Sequence, residues 1–589
     1  MKSFFKYLLA SILGILIASL IMFFITIGII SVLVTSQDKP VGIKSNTILM
    51  LKLDQPINDR KSPLPMFVYN LTSFGAETQL GLNDILNNIS KAGQDENIRG
   101  IFLELSGLQT GIATIEEIRN ALLDFKKTGK FIVAFSDTYT QGSYYLASLA
   151  DKVYLTPGGS VNLIGLSAEI MFYKKALEKL DIQPEIIRHG KFKSAVEPFL
   201  FDKMSPENRE QIRTYVGSIW NHMLEQISVS RKIPIDKLNT FADSLLLWNN
   251  SSTIAYGIID TTLYKDQVLD TLAHFVQVDN SKSLSFVTHQ KYLRVPKQHE
   301  EKGYTRNKIA VIYAEGNIVT GEQGEGMIGS GKIAKTIREA RQDSTIKAIV
   351  FRVNSGGGSA LASEVIWREL FLARQVKPVI ASMGDVAASG GYYILAAADM
   401  IVASPNTITG SIGVYGLLID AGDFFENTLG ITIDVDKTNA HSDFGSIYRP
   451  LSISERMTLQ KMIDETYSTF VTRVSDGRRL AFENVDKIAE GRVWSGKNAL
   501  ELGLVDTLGG LTTAVDIAAK KAKLDHYRII ELPKLEEPFA QIVKELSGDI
   551  KERLLRHELS EHYNQYRVVK QILKSDRIQA RLPYEITIH

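Results

Sequence analysis

One serine of this chain lies where a strand-like run meets two glycines. Ser389 follows the run VIASMGDVAA and precedes GGYYILAAAD, which is typical of a helix of small residues. At such a turn the hydroxyl can be presented to a ligand, and the unpaired N–H groups of the following helix can bind an anion. These features suit a nucleophile. They suit a structural helix-capping serine equally well, so this segment alone does not decide between the two.

A glycine-rich segment precedes this serine by one strand. Residues 354–359 read NSGGGS and follow the strand-like run IVFRV. Consecutive glycines allow backbone N–H groups to approach a ligand closely. Such groups can stabilise the oxyanion that forms when a hydroxyl attacks a carbonyl. The alternative is a flexible turn, but a glycine loop next to a candidate nucleophile favours an oxyanion hole.

The chain contains an altered copy of these segments. SDTYTQGSYYLASLAD ends at Asp151 and GDVAASGGYYILAAAD ends at Asp399, 248 residues later (399 − 151 = 248). Gln141 occupies the position of Ser389 in the first copy, which also lacks the glycine triplet. Conversely, Lys193 in FKSAVEPF is replaced by a glycine in the second copy's FGSIYRPL. This reciprocal loss predicts a duplicated enzyme whose halves share one Ser–Lys dyad, with Ser389 as nucleophile and Lys193 as general base.

The proposed base imposes a condition on its surroundings. A lysine accepts a proton only as the neutral amine, and its reference pKa is about 10.4. Burial among apolar groups lowers that pKa, and Ala195, Val196 and Phe199 beside Lys193 fit this need. The chain has no recognisable histidine triad motif, which is why a lysine is considered. Lys191 and His189 lie close to Lys193 in the sequence and are the alternative bases.

Three aspartates near these motifs have other interpretations. Asp385 is a candidate third catalytic residue or, alternatively, a turn or cap residue. Asp151 and Asp399 recur in both copies, which favours a structural role because only one copy has the serine. We predict no cofactor, and no cluster of residues has metal-ligand spacing. The absence of cysteine excludes disulfides and thiolate catalysis.

Four motifs together carry a family resemblance. FKSAVEPF lies in the first half, and NSGGGS, GDVAASGGYY and GSIGV follow in the second half. In this order and placement they resemble the long, duplicated form of the signal peptide peptidase A (protease IV) family over about residues 45–525. The resemblance implies a membrane-anchored serine endopeptidase with a ClpP/crotonase-like fold. It also implies remnant signal peptides and other apolar peptides as substrates, and a homo-oligomer, commonly a tetramer.

The resemblance also assigns roles to single residues. It makes Ser389 the nucleophile, Lys193 the general base, and the N–H groups of Gly390 and Gly357 the oxyanion hole. One departure is that Gly356 stands where the family usually has proline. Without the fixed φ of proline the loop is more flexible, so the choice of the second N–H donor within this loop stays open.

The elements that would position these residues follow an apolar N-terminus. Residues 7–37 contain no charged side chain, whereas Lys2 and Lys6 precede them. Roughly 20 apolar residues suffice to span a bilayer, and flanking lysines favour the cytoplasmic side. We therefore predict an uncleaved anchor over residues 1–44, with a helix at about 7–35. The protein would cross the cell inner membrane once, with its catalytic part on the periplasmic side.

The rest of the chain is predicted to be α/β, with tandem duplicated ClpP/crotonase-like domains after the transmembrane helix. Strand-like runs alternate with helical ones, which is typical of βαβ units and a parallel sheet. The first copy, residues 45–294, supplies the lysine. A linker at 295–308 leads to the second copy, residues 309–525, which supplies the serine and the oxyanion loop. Residues 526–589 are predicted to be an amphipathic helical tail, whose apolar end could dock in a peptide groove.

The 67 Lys and Arg nearly balance the 66 Asp and Glu, which argues against nucleic acid as a partner. A crotonase-like acyl-CoA enzyme would share the fold and the oxyanion hole. An inactive membrane scaffold would keep the fold without the dyad. The presence of both Ser389 and Lys193 favours the peptidase.

Overall fold

Each half of the chain forms its own, mainly parallel sheet. The computed structural model describes residues 2–37, 41–61, 80–297, 305–322, 326–535 and 578–582. The predicted mixed α/β architecture and the alternation of strands and helices are confirmed.

The first half contains nine strands and eleven α-helices among its described residues. The strands are β1 Thr47–Lys52, β2 Ile57–Asn58, β3 Leu80–Gly81, β4 Ile98–Glu104, β5 Phe131–Tyr139, β6 Lys152–Val161, β7 Gln183–His189, β8 Thr261–Thr262 and β9 Ser285–Thr288. The helices are α1 Lys2–Gln37, α2 Leu82–Gln94, α3 Ile112–Lys126, α4 Gln141–Ala147, α5 Lys174–Lys179, α6 Glu197–Leu200, α7 Pro206–Arg231, α8 Ile235–Asp243, α9 Asn250–Ala255, α10 Lys265–Val276 and α11 His289–Tyr292.

The second half has thirteen strands and seven α-helices in the part that is described. The strands are β10 Lys308–Glu315, β11 Asn317–Val319, β12 Met327–Gly329, β13 Ile346–Ser355, β14 Gly357–Ser359, β15 Val379–Ala388, β16 Met400–Ala403, β17 Ile408–Gly410, β18 Val414–Asp420, β19 Val493–Ser495, β20 Thr507–Leu508, β21 Arg528–Leu532 and β22 Ile578–Arg581. The helices are α12 Ser330–Gln342, α13 Ala360–Arg374, α14 Gly390–Leu395, α15 Ile453–Arg478, α16 Phe482–Ile488, α17 Gly496–Glu501 and α18 Leu511–Lys521.

The two parallel sheets repeat one strand order. The first runs β8-β6-β5-β4-β1-β9, and the second contains the equivalent path β20-β16-β15-β13-β10-β21, extended by β17 and β19. The central strands are almost continuously apolar and buried, as a sheet covered on both faces requires. The duplication inferred from the sequence is therefore present in the topology.

The repeated aspartates show the same structural role in both halves. The carboxylate of Asp151 accepts a hydrogen bond from the N–H of Ile132 at 2.8 Å, and that of Asp399 accepts one from Val379 at 2.9 Å. Each carboxylate thereby holds the start of the strand that leads to the Gln141 or Ser389 position. The structural interpretation of these two residues is confirmed.

A third sheet joins the two halves. Its order is β12-β11-β14-β22-β18-β7, so strand β7 of the first half pairs with strands of the second. β7 runs antiparallel to β18 over seven residue pairs, from His189 opposite Val414 to Gln183 opposite Asp420. This sheet brings the segment that follows β7, and with it Lys193, to the second half.

The chain beyond residue 525 differs from the predicted helical tail where it is described. Residues 528–532 read RIIEL and form β21, which pairs in parallel with β10, as β9 pairs with β1 in the first half. β21 is thus the outermost strand of the second sheet. It pairs with backbone groups of β10 that would otherwise lack partners in the sheet. Residues 578–581 are also a strand. The predicted amphipathic helix falls on residues outside those described.

The N-terminus forms a long helix, α1, which includes the predicted segment 7–35. Over the part of the chain that the structure describes, no helix is both long enough and apolar enough to cross a membrane.

Candidate active site

Ser389 lies in a sharp turn between strand β15 and helix α14. Its backbone has φ 54° and ψ −118°, a conformation that costs a non-glycine residue about 1–3 kcal/mol. The turn is held by two hydrogen bonds of 2.8 Å, from the Ser389 N–H to the carbonyl of Gly410 and from the Tyr393 N–H to the carbonyl of Ser389. The Ser389 side chain makes no capping bond to its own helix. The helix-cap interpretation of this serine is therefore wrong.

Lys193 meets this serine across the boundary between the halves. Its Nζ lies 2.8 Å from the Oγ of Ser389, and both side chains are fully buried. Two glycines permit this approach. A Cβ on Gly413 would lie 3.2 Å from the Cδ of Lys193, and one on Gly491 would lie 2.6 Å from its Cβ. The two residues that the repeat singled out are thus brought together.

The electrostatics of Lys193 suit a neutral amine. Burial lowers the pKa of Lys193 well below the ordinary value for a lysine. Among the described residues no carboxylate forms an ion pair with it, so nothing offsets the cost of removing the ammonium from water. The lowered pKa favours the neutral amine, which is the form that can accept a proton.

Ser411 was not singled out from the sequence, although it lies in the GSIGV motif. Its Oγ is 3.0 Å and its carbonyl oxygen 3.2 Å from the Nζ of Lys193. It is fully buried and has φ 49°, which indicates that the surrounding turn imposes its conformation. The repeat held a signal for this residue, because Leu163 occupies the equivalent position in the first copy.

The two alternative bases point elsewhere. Lys191 has a side chain 63% exposed and pairs with Glu490 at 3.4 Å. His189 is hydrogen bonded through Nδ1 to Asp464 at 2.8 Å and stacks on Tyr467 with ring centroids 3.9 Å apart. In this arrangement neither side chain bonds to Ser389.

Asp385 is half-buried and bonds to the first half. Its carboxylate accepts the N–H of Thr114 at 2.9 Å and the Thr114 hydroxyl at 2.7 Å. Thr114 lies in the first turn of α3, where Gly111 occupies the cap position without a side chain to offer. Asp385 thus caps a helix of the other copy, which agrees with the cap interpretation. Burial raises the pKa of its carboxyl, opposed by these hydrogen bonds.

The predicted oxyanion residues lie side by side. Gly390 is the first residue of α14, and a Cβ built on Gly357 would lie 2.7 Å from the Gly390 nitrogen. Gly357 has φ 99°, which favours glycine, and its N–H donates to the Oγ of Ser355 at 3.1 Å. The loop without proline is therefore held by a neighbouring serine.

Two stretches of the chain, residues 124–279 and 372–525, match Peptidase family S49. The chain belongs to this family. It is a serine peptidase, and the first matched stretch contains Lys193 while the second contains Ser389. This membership favours the peptidase over the acyl-CoA enzyme and the inactive scaffold.

Relatives of known name agree with the S49 assignment. Protease 4 of Salmonella typhi is 39% identical over 77% of this chain and 75% of its own length. Protease 4 of Haemophilus influenzae is 35% identical over 82% of this chain and 80% of its own length. The chloroplastic serine protease SPPA of Arabidopsis thaliana is 33% identical over 80% of this chain and 70% of its own length.

Among solved structures, a ClpP1 mutant from Listeria monocytogenes aligns with 35% of this chain and 94% of its own. The identity is 15% and the TM-score 0.24, too low to support an argument about fold.

The position equivalent to Ser389 in the first copy of the S49 repeat is filled structurally. The Gln141 amide donates to the carbonyl of Gly165 at 3.0 Å, and its oxygen accepts the N–H groups of Ile164 and Gly165. The Gln141 side chain thus forms hydrogen bonds to backbone groups of the turn, and this position of the first copy has no nucleophile.

Proposed function

We propose that Ser389 and Lys193 form the catalytic dyad of an endopeptidase that degrades apolar peptides. The observation that carries this proposal is the 2.8 Å approach of the Lys193 Nζ to the Ser389 Oγ inside a buried site. As a neutral amine, Lys193 donates its two N–H groups to the two oxygens of Ser411 and directs its lone pair at the hydroxyl of Ser389.

Acylation then needs two proton transfers, and deacylation needs two more. Lys193 takes the hydroxyl proton while the Ser389 Oγ adds to the peptide carbonyl carbon, and the N–H group of Gly390 stabilises the oxyanion. The N–H group of Gly357 joins it when it turns from the Ser355 Oγ to the substrate. The ammonium of Lys193 next protonates the amine that leaves as the C–N bond breaks. Water then gives a proton to the same lysine and attacks the acyl carbon, and the lysine returns that proton to the Ser389 Oγ as the ester bond breaks.

The substrate class follows from the family resemblance and from the chain's own N-terminus. An enzyme anchored by residues 7–35 meets peptides that lie in the membrane, and remnant signal peptides are apolar peptides of this kind. Extended apolar segments also suit recognition by strand addition, in which main-chain hydrogen bonds supply affinity. A ClpP/crotonase-like fold and a homotetramer belong to the same proposal; sedimentation of the detergent-solubilised protein as a monomer would contradict the tetramer.

The decisive experiment compares single variants of the full chain in detergent. Ser389→Ala and Lys193→Ala are each expected to lower kcat/KM for a fluorogenic apolar peptide by roughly 10³-fold or more. Lys191→Ala is the matched control and should keep its activity, because that side chain is exposed. Thermal melts would verify folding. An active, folded Lys193→Ala variant would exclude this lysine as the base.

Membrane topology can be tested separately because the chain has no cysteine. Val229 is exposed on α7, so Val229→Cys places a single thiol on the catalytic part. We expect a membrane-impermeant maleimide to label it in cells with a permeabilised outer membrane. Labelling only after lysis, or recovery of the chain in an alkaline wash of the membranes, would contradict a periplasmic, anchored enzyme.

A further inference from the structure

Lys193 lies at the centre of a turn that is closed by one hydrogen bond. Its φ of −74° and ψ of 73° are those of an inverse γ-turn, in which the residue after the centre bonds to the residue before it. Here the Ser194 N–H donates to the carbonyl of Phe192 at 2.8 Å. Because a single bond closes this turn, contacts from outside it decide how firmly the direction of the lysine side chain is held.

The side chain of Gln211 makes such contacts. Gln211 lies on α7 and is fully buried. Its Nε2 donates to the carbonyl of Phe192 at 3.2 Å and to the Oγ of Ser194 at 2.7 Å. The Oδ1 of Asn208, on the same helix, lies 3.1 Å from this nitrogen. Gln211 thus binds the residues on both sides of Lys193.

The oxygen of the same amide bonds to the second half. The Gln211 Oε1 accepts the N–H of Val493, the first residue of β19, at 3.0 Å. Val493 lies opposite Gly410 in the antiparallel pair of β19 and β17, and the Gly410 carbonyl accepts the N–H of Ser389. The partners fix the orientation of the amide, since carbonyl oxygens need a donor and the Val493 N–H needs an acceptor. One side chain therefore connects the turn of the lysine with the strand pair that holds the turn of the serine.

We propose that Gln211 is a positioning residue, which holds the Lys193 side chain in line with the Ser389 hydroxyl across the boundary between the halves. This inference rests on the proposed function of Ser389 and Lys193. A general base works only within hydrogen-bond reach of its proton, as the 2.8 Å between Nζ and Oγ allows. A displacement of about 1 Å can lower a rate about 10²-fold.

The lysine segment also has a contact that does not involve Gln211. The Phe192 N–H donates to the carbonyl of Glu490 at 3.0 Å. Without the Gln211 amide the segment therefore stays attached to the second half, and we expect the precision of the dyad to suffer before its assembly does.

The first test replaces the amide in the full chain. Gln211→Met keeps nearly the same side-chain length and removes the donors and the amide oxygen. We expect kcat for a fluorogenic apolar peptide to fall about 10- to 100-fold and KM to stay within about twofold, because a misdirected base slows the chemical step. Thermal melts would verify folding. A raised KM with an unchanged kcat would make Gln211 a determinant of binding and would overturn the proposal.

Ser218→Ala is the matched control. Ser218 lies on the same helix, and its Oγ is 2.8 Å from the Oγ of Ser495 on β19. This change also removes a hydrogen bond between α7 and β19, but one that does not involve the lysine turn, so kcat should stay within about twofold of the unaltered chain. Equal losses of kcat in Ser218→Ala and Gln211→Met would mean that Gln211 only attaches α7 to β19, and the proposal would be wrong.

Ser194→Ala covers the case in which Gln211→Met does not fold. It removes one of the two acceptors of Gln211 at the turn and leaves the bond to the Phe192 carbonyl, so kcat should fall by a smaller factor, about three- to tenfold. Where both variants fold, Ser194→Ala should add little to Gln211→Met, since both act on one contact. An unchanged kcat in folded Ser194→Ala would contradict the proposal.

A variant without the lysine separates this inference from the dyad itself. In Lys193→Ala, the further change Gln211→Met should not lower the residual kcat, because no base is left to direct. A further tenfold loss there would show that Gln211 acts by another route, and the dyad would stand without this role for Gln211. A folded Lys193→Ala variant as active as the unaltered chain would instead overturn the dyad, and this inference with it.

Discussion

The surroundings of the Lys193 amine suit the base role proposed for this residue. Within the described part of the chain, its Nζ forms hydrogen bonds to hydroxyl and carbonyl oxygens of Ser389 and Ser411, and its ionised form is penalised by burial. A general base must be unprotonated at the working pH, so the lowered pKa of Lys193 sets the acid limb of the pH profile. As pH falls through that pKa, the ammonium forms and kcat/KM decreases.

This dependence can be moved by one substitution. In Ser411→Asp a carboxylate replaces the hydroxyl 3.0 Å from the Lys193 Nζ. An adjacent negative charge favours the ammonium, so the acid limb of kcat/KM should shift to higher pH by about one to three units. Ser411→Asn, of the same shape but neutral, should leave the limb near its wild-type position. The measurement is kcat/KM of folded variants across pH, and coincident limbs for Asp and Asn would show that another group sets them.

At the scale of elements, the site depends on the turn between β15 and α14. The strand ends at Ala388 and the helix begins at Gly390, which leaves one residue to reverse direction and point its hydroxyl at the lysine. Asp385, near the end of the same strand, reaches in another direction and caps α3 through Thr114. β15 thus positions the proposed nucleophile Ser389 at its end, and its residue Asp385 contacts the other copy.

The cap role of Asp385 makes a specific prediction. Asp385→Ala removes both acceptors of Thr114, and the free energy of unfolding should fall by about 1–2 kcal/mol, the usual cost of a lost helix cap. The kcat/KM of the folded enzyme should change by less than about twofold. Asp385→Asn keeps an acceptor oxygen and should retain part of the stability. If instead kcat fell by roughly 10³-fold without a change in stability, Asp385 would be a third catalytic residue.

At the scale of the whole molecule, a buried ion pair cluster connects the halves. Arg352 on β13 is fully buried, and its Nη2 lies 2.8 Å from Asp59 and 2.7 Å from Glu117, both of the first half. Burial raises the pKa of Glu117, which Arg352 opposes, and burial raises the pKa of the nearby Glu315 to about 8. The guanidinium of Arg352 is therefore the cation that balances the carboxylates of both Asp59 and Glu117.

Removal of this guanidinium should be costly. Arg352→Met leaves Asp59 and Glu117 buried without their cation, and the free energy of unfolding should decrease by about 3–5 kcal/mol in urea denaturation. Lys127→Met, which breaks an exposed pair with Asp124, should cost less than about 1 kcal/mol. The triple change Asp59→Asn, Glu117→Gln, Arg352→Met should recover most of the loss. Equal effects of Arg352→Met and Lys127→Met would show that the cluster does not hold the halves together.

The sequence by itself determined the residue types, the duplication and the reciprocal Ser/Lys loss. Each of these can be read from short segments. Apolar runs and flanking glycines in such segments also predicted β13, β15 and α14. The Ser389–Lys193 pair could be inferred from the repeat because duplicated copies must fold alike. The segment around Ser389 alone did not separate the cap role from the nucleophile role, since both need the same residues.

Only the tertiary structure decided how distant segments meet. Ser411 became a partner of Lys193, Asp385 a cap on the other copy, and residues 578–582 a strand beside Gly357 and Gly390. These contacts join segments about 190 to 270 residues apart along the chain. Such segments pair only if the free energy gained by burial exceeds the entropic cost of closing the long loop between them. A short stretch of sequence does not determine either quantity.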